Sequence, residues 1–195
     1  VTDQEAMKDL IGRIHHEAKR MNHLVMDMLK LSELESQSDT NEVQDINLQP
    51  LVDDVINNLS VLIKEQDVSI NKTIDLKFIS FNRDNLFQMI KNILENAIKY
   101  SNKNGQIWIH IYQDEDNQIF EIKDEGIGIP EEDQERVFER FYRVDKARSR
   151  ISGGTGLGLS IVKHIVINAG GNIHLTSTSE EGTTIQIIIP KKSER

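Results

Sequence analysis

Apolar side chains recur at helical spacing along the first part of the chain. Between Met7 and Met28 they follow one another in steps of four and three, a heptad pattern typical of a helix that packs against partner helices. We predict one helix from about Asp3 to Glu35, beginning at a capping box of Thr2 and Glu5. At 1.5 Å per residue it would be roughly 50 Å long, so we expect it to pair with a second copy in a dimeric helical bundle. The seam comprises Met7, Ile11, Ile14, Ala18, Met21, Val25 and Met28.

The remaining pattern predicts a second domain of helices and strands. Residues 1–35 form the helical region, the polar residues 36–44 read as a linker, and residues 45–195 form the domain. Pro50 suits the first turn of an amphipathic helix, residues 82–101 predict a stronger one, and a third follows the glycines before residue 159. We expect a two-layer α/β sandwich, with the three helices on one face of a mixed sheet. The predicted strands are residues 68–74, 77–81, 105–113, 119–124, 172–179 and 183–190.

Composition narrows the class of protein. Lysine and arginine number 23 against 32 aspartates and glutamates, a net charge of −9, which argues against binding to nucleic acid. The absence of cysteine excludes disulfides and thiolate metal sites. No run approaches the roughly 20 apolar residues that a membrane span needs. The chain begins at Val1 without a methionine, so we expect it to be part of a longer protein whose membrane anchor would lie upstream.

One face of the predicted helix over residues 82–101 carries carboxamides at a spacing of three and four. Ordinary solvated helices favour Glu, Lys or Ala at such positions. Amide oxygens one turn apart can hold a hard cation such as Mg²⁺ that also bridges phosphates. An exposed polar face without a task is the alternative, and this segment alone does not decide between them. The stripe comprises Asn85, Gln88, Asn92, Asn96 and Lys99.

A carboxylate ends the strand over residues 119–124. Asp124 shares a face with Phe120 and Ile122, so it should point inward, where a carboxylate is costly unless a donor pairs with it. The N6 amino group of adenine is one suitable donor. Gly126 and Gly128 follow, and without Cβ atoms they let the backbone approach a flat ring closely.

A cationic segment leads into a run of glycines. Six cations lie within fifteen residues of this otherwise acidic chain, which predicts a negatively charged ligand nearby. Glycines that open a helix leave backbone N–H groups free to bind phosphate. The run fits neither the Walker loop nor the dinucleotide fingerprint, because no Lys-Ser or Lys-Thr follows it and no strand precedes it. The cations are Arg136, Arg140, Arg143, Lys146, Arg148 and Arg150, and the glycines fall between Gly153 and Gly158.

Four segments taken in order resemble the N, G1, F and G2 boxes of sensor histidine kinases. They are KNILENAIKYS, DEGIGIP, VFERFYRVDKARSR and GGTGLGLSIVKHIV. These kinases belong to the gyrase, Hsp90, histidine kinase and MutL ATPase superfamily, which implies the Bergerat ATP-binding fold. The first helix resembles the second helix of their dimerisation domain. The run FYRVDKAR is similar to phosphate-sensing and cell-wall-sensing kinases of Gram-positive bacteria.

The resemblance implies ATP and Mg²⁺ as cofactors and assigns a role to each matching residue. Asn92 and Asn96 would hold Mg²⁺ and the phosphates, and Asp124 would recognise adenine. Catalysis would fall to Asn92, Arg143 and Lys146, the last two reaching the terminal phosphates from a lid. The other implied contacts are Lys99 and Tyr100 to phosphate and nucleoside, Gly126, Gly128 and Ile129 around the base, and Gly154, Thr155, Gly156, Leu157, Gly158 and Leu159 over the triphosphate.

The implied reaction is phosphoryl transfer to a histidine. Gyrase-like relatives carry a glutamate base where this chain has Asn92, and an amide cannot accept a proton from water. His15, His16 and His23 lack the sequence that follows an acceptor histidine, so the acceptor helix is expected to be missing and the chain should not label itself. An ATP-hydrolysing clamp and a nucleotide-sensing pseudokinase stay open as alternatives.

The resemblance also implies the cellular setting. The chain would be the cytoplasmic portion of a bacterial membrane sensor kinase, and the receiver domain of a response regulator would be its partner. Without nucleotide, we expect the lid over residues 125–152 to be the most mobile region.

Overall fold

The computed structural model of the chain describes residues 3–36, 42–144 and 154–191. The predicted cap at Thr2 and the lid residue Lys146 lie outside these ranges, and the mobility of the lid stays a prediction. The elements are α1 (Asp3–Glu35), β1 (Gln44–Asn47), α2 (Leu48–Asn58), α3 (Ser60–Gln66), β2 (Ser69–Ile74), β3 (Phe78–Phe81), α4 (Arg83–Tyr100), β4 (Gln106–Gln113), β5 (Asn117–Asp124), α5 (Glu131–Gln134), a 3₁₀ turn (Arg136–Phe138), α6 (Gly158–Asn168), β6 (Asn172–Thr178) and β7 (Gly182–Pro190).

A five-stranded mixed sheet carries the domain. Its order is β2-β4-β5-β7-β6, with β2 parallel to β4 and the other pairs antiparallel. Alternate residues of β4 face the helices and are almost fully buried, as the alternation in the sequence predicts. Helices α4 and α6 share this apolar core with the sheet. The predicted two-layer α/β sandwich is therefore confirmed.

Two details of the prediction were wrong. The strand over residues 77–81 does not join the main sheet, because β3 pairs antiparallel with β1 in a separate two-stranded sheet. Strand β1 has only Ile46 buried and therefore has no alternating pattern that sequence could reveal. The helix after Pro50 is two helices, since the backbone leaves helical geometry at Leu59 (φ −94°, ψ 6°).

Helix α1 has the predicted bounds and two different halves. In the first two thirds of the helix, the large seam residues are each more than half exposed to solvent. They are Met7, Ile11, Ile14, Met21 and Val25. Toward the other end Leu31 and Leu34 are 5% and 3% exposed and join the core of the domain, where α1 contacts α6. Within the described ranges, no helix is long and apolar enough to cross a membrane.

The loop after β5 crosses the turn between β6 and β7, and the backbone atoms of the two segments are in direct contact. Gly128 has φ +66°, and a Cβ atom there would lie 2.0 Å from the carbonyl oxygen of Thr178. Nearby, the N–H of Glu180 donates to the carbonyl of Ile127 at 2.8 Å. The missing side chain of Gly128 thus allows the crossing that positions this loop.

Gly128→Ala should destabilise the domain more than Gly170→Ala. Both glycines have positive φ, which costs an L-residue roughly 1–2 kcal/mol, but a Cβ at Gly170 would meet nothing within 4 Å. We expect the added clash to lower the free energy of unfolding of Gly128→Ala by a further 1–3 kcal/mol or so, measured by urea denaturation. Equal losses in the two variants would contradict the crossing.

Candidate active site

The carboxamide stripe of α4 is partly buried and internally bonded. Asn85 and Asn92 are 7% and 8% exposed, so the alternative of a solvated polar face does not hold for them. Gln88 Nε2 donates to Asn92 Oδ1 at 2.9 Å, and Asn92 Nδ2 donates to the carbonyl of Gly158 at 3.0 Å. Asn92 therefore connects α4 to Gly158, which is both the last glycine of the run and the first residue of α6.

The stripe continues toward the end of α4. Asn96 is half-buried one turn beyond Asn92. Lys99 Nζ donates to Glu95 at 2.6 Å, so its ammonium group is held along the helix by a carboxylate. Tyr100 ends the helix with its side chain partly exposed, and its carbonyl accepts from the N–H of Ile127 at 3.1 Å.

Asp124 points into the domain, as the alternation of β5 predicts, and is 7% exposed. Burial raises the pKa of its carboxyl to about 6, although backbone N–H groups of Gly126 and Thr183 donate to it and lower that pKa in part. The Gly126 bond is 2.9 Å long. Asp124 thus pairs with backbone donors alone among the described residues, and its charged form carries a desolvation cost.

The loop that follows is packed too tightly for side chains. A Cβ atom on Gly126 would lie 2.3 Å from the Tyr100 carbonyl oxygen and 2.7 Å from Asp124 Oδ1. The N–H of Ile129 donates to the hydroxyl of Ser177 at 2.8 Å, which ties the loop to β6. Tyr100, Asp124 and the three loop residues Gly126, Gly128 and Ile129 therefore form one end of the site.

The glycine run and the end of the cationic segment form the other end. Gly156 has φ +75°, and its carbonyl accepts from the N–H of Phe141 at 2.9 Å. The guanidinium of Arg143 lies beside Gly154, 4.0 Å from the place of a Cβ there. Leu157 is fully buried and no described side chain caps the start of α6. Uncapped N–H groups next to a guanidinium suit an anionic ligand.

The two ends lie along one helix. Asn92 and Tyr100 are eight residues apart on α4, about 12 Å at the rise of an α-helix, a span that an extended nucleoside triphosphate can bridge. In the described part of the chain, no group of three or more His, Asp or Glu residues could hold a metal ion. The amide of Asn92 lies beside Gly158, the half-buried Asn96 follows one turn further along α4, and the Asp27 carboxylate contacts Thr155 of the glycine run. Lys146, the remaining predicted residue, lies outside the described ranges.

Several supporting residues escaped the sequence analysis. Thr183 donates to Asp124 because β7 pairs beside β5, and Gln134 Nε2 bonds the carbonyls of Ile129 and Ser177 at 3.0 and 2.8 Å. The hydroxyl of Thr155 donates to Asp27 of α1 at 2.7 Å, across 128 positions of sequence. These contacts depend on strand register and helix docking, which no local pattern reports.

Comparison with known proteins identifies the family of the chain. Residues 81–193 match the family of histidine kinase-, DNA gyrase B- and HSP90-like ATPases. The sensor histidine kinase WalK of Bacillus subtilis is 40% identical over 96% of this chain and 32% of its own length. The WalK sensor protein kinase of Staphylococcus aureus is 37% identical over 96% of this chain and 46% of its own length.

Solved structures of histidine kinases share the fold. The histidine kinase AdeS of Acinetobacter baumannii is 24% identical with a TM-score of 0.76, covering 97% of this chain and 86% of its own. The histidine kinase ThkA, solved in complex with the response regulator TrrA, is 25% identical with a TM-score of 0.75, covering 98% of this chain and 53% of its own. The chain spans about a third to a half of the length of the curated relatives described above. It belongs to the family of histidine kinase-, DNA gyrase B- and HSP90-like ATPases, and within that family it is similar to the catalytic domains of sensor histidine kinases.

Proposed function

We propose that the chain binds Mg²⁺–ATP between α4 and the glycine-containing loops, and transfers the γ-phosphoryl group to a histidine on a separate helix. The buried amide of Asn92, bonded to both Gln88 and Gly158, carries this proposal. An amide in that place cannot act as the general base that activates water. Transfer would instead depend on positioning and charge neutralisation, which favours a histidine acceptor over hydrolysis.

We place adenine at the Asp124 end of the cleft. The Asp124 carboxylate already accepts from two backbone N–H groups, and its remaining lone pairs can accept from an exocyclic amino group. The backbone of Gly126 lies directly against Tyr100 and Asp124, with no room there for a side chain. A ligand donor would offset the cost of a buried carboxylate, which supports recognition of an amino-bearing purine.

The phosphates belong at the other end. Arg143 beside Gly154 and the uncapped start of α6 offer a cation and backbone donors there. The amide oxygens of Asn92 and Asn96 are the hard donors that Mg²⁺ accepts while it keeps several waters, so the residues present fit that ion. When bound, Mg²⁺ would neutralise charge on the phosphate oxygens. Lys99 would have to exchange its partner Glu95 for a phosphate.

The acceptor histidine would come from outside this chain. His15 and His23 lie exposed on α1, and His164 contacts Arg140. We therefore infer that the chain does not label itself. A receiver domain of a response regulator is the proposed partner for the next transfer, supported by the complex of the relative ThkA. We also propose that the chain acts as part of a membrane-anchored sensor kinase, as its WalK relatives suggest.

Incubation with radiolabelled ATP should distinguish phosphotransfer from ATP hydrolysis and from nucleotide binding without chemistry. With Mg²⁺ present, we expect label on a supplied acceptor helix carrying a His-Glu pair, and none on the chain alone. Asn92→Ala should lower the rate at least about a hundredfold, because it removes both the ligand oxygen and the bond to α6. Asn57→Ala, an exposed carboxamide on α2, serves as the control.

The other outcomes identify the alternatives. Release of inorganic phosphate without labelled helix would indicate an ATP-hydrolysing clamp. Binding without any chemistry would indicate a pseudokinase. Label on one of the chain's own six histidines would overturn the separate-acceptor assignment.

Asp124→Asn should lose nucleotide binding and gain stability. The folded-state pKa near 6 is above the ordinary carboxyl value of 3.8, so the carboxylate lowers wild-type stability as pH rises from about 4 to about 6. The full penalty above pH 6 is about 3 kcal/mol, from 1.36 kcal/mol per unit of pKa. At pH 7.5 the variant should therefore unfold at higher urea by up to that amount, with the difference vanishing near pH 4.

Calorimetry with ATP and Mg²⁺ gives the second half of this test. The neutral variant should show no measurable binding, while Asp116→Asn, an exposed turn residue, should bind like wild type. Unchanged affinity in Asp124→Asn would remove the base pocket. A loss of stability at pH 7.5 would show that the carboxylate is retained for folding.

We also propose that α1 forms a homodimer through its exposed seam. Met7, Ile11, Ile14 and Met21 are 58–60% exposed and lie on one side of the helix. A contiguous apolar stripe of this length in water favours association with a second copy at heptad spacing.

Ile14→Lys should convert a dimer to a monomer. A charge in the middle of the seam would be buried against the partner helix without a counter-ion, which is costly. Light scattering should give the dimer mass for the wild type and for Lys19→Glu, which lies off the seam, and the monomer mass for Ile14→Lys. A monomeric wild type would refute this interface.

A further inference from the structure

The end of α1 is bonded to the segments proposed to bind phosphate. Leu31 and Leu34 bury their side chains in the core, and Asn168 Nδ2 of α6 donates to the carbonyl of Leu34 at 2.9 Å. This docking holds two acidic residues of α1, Asp27 and Glu35, against the catalytic domain. Each of them engages a different part of the site.

Asp27 holds the glycine run. The hydroxyl of Thr155 donates to the Asp27 carboxylate at 2.7 Å and accepts from the N–H of Leu157 at 3.2 Å. Thr155 lies between Gly154 and Gly156, in the loop proposed to close over the triphosphate. A phosphate oxygen that approached this hydroxyl would meet a carboxylate already bonded to it, and the two negative groups repel each other.

Glu35 holds the segment that leads to Arg143. Its carboxylate forms an ion pair with the guanidinium of Arg140, and His164 Nε2 lies 3.8 Å from the same carboxylate. Arg140 precedes Phe141, whose N–H bonds the carbonyl of Gly156. One helix therefore restrains both the glycine run and the adjoining cationic segment.

We propose that α1 is an acidic latch, in which Asp27 competes with nucleotide phosphates for Thr155 while Glu35 restrains Arg140 and the cationic segment, so that the two contacts hold the site in a low-affinity arrangement. The inference rests on the proposed function and adds a means of regulation to it. Any movement that withdraws the end of α1 from α6 breaks both acidic contacts together. The helix bundle is thus coupled to nucleotide affinity through two carboxylates.

The surroundings of the docked Asp27 side chain disfavour its ionised form. Burial raises the pKa of its carboxyl, with the charge of Glu95 acting in the same direction, while the Thr155 bond and the charges of His23 and Lys91 oppose them. The ionised carboxylate is therefore less favourable here than in water.

Calorimetric titration of the chain with ADP and Mg²⁺ tests the latch without turnover. Asp27→Ala should bind roughly five- to tenfold more tightly than wild type, and Glu35→Ala should change affinity in the same direction. Asp27→Asn keeps an acceptor for Thr155 but loses the charge, so it should also bind more tightly and covers the case that the alanine variant folds poorly. Asp9→Ala, an exposed carboxylate elsewhere on α1, should bind like wild type.

A double-mutant cycle shows whether the effect passes through the contact. In a Thr155→Ala background, Asp27→Ala should have lost most of its effect, because the shared hydrogen bond is already absent. Unchanged or weaker binding in both Asp27 variants would overturn the latch while leaving the proposed function intact. Absence of Mg²⁺-dependent binding in every variant, the wild type included, would overturn the proposed function itself.

Discussion

Asp124 ends β5 as a carboxylate inside an apolar core, held by backbone N–H groups of Gly126 and Thr183. Its position requires that β7 pair beside β5, that no Cβ atom stand at Gly126, and that the end of α4 lie close by. The packing around the sheet therefore positions the Asp124 carboxylate, whose burial in ionised form costs free energy. A fold selected for stability alone would have an uncharged residue there.

Local patterns in the sequence were sufficient for the elements and much of the site. The heptad spacing predicts α1 with its observed bounds, and the alternation of β5 predicts that Asp124 points inward. The separate pairing of β3 with β1 was not predictable, because β1 buries a single residue. The Thr183 and Asp27 contacts depend on long-range register and docking, which leave no local periodicity.

A series of side-chain hydrogen bonds connects the site to α1. Asn92 joins α4 to α6, α6 joins the end of α1 through Asn168, and α1 returns to the glycine run through Asp27. These bonds form a closed circuit through α4, α6 and α1 that begins and ends at the glycine run. In this arrangement, a shift of α1 and the arrival of a triphosphate act on the same few hydrogen bonds, which is the physical requirement for coupling between the two.

The central claim is that Asp124 recognises the amino group of a purine whose phosphates lie at the start of α6. Competitive titration of ATP against inosine triphosphate tests it most directly, because the two nucleotides share their phosphates and differ in the group at C6. We predict that ATP binds with Mg²⁺ and that inosine triphosphate binds at least about a hundredfold more weakly, since it leaves the buried carboxylate without its donor. Equal affinities would contradict the claim.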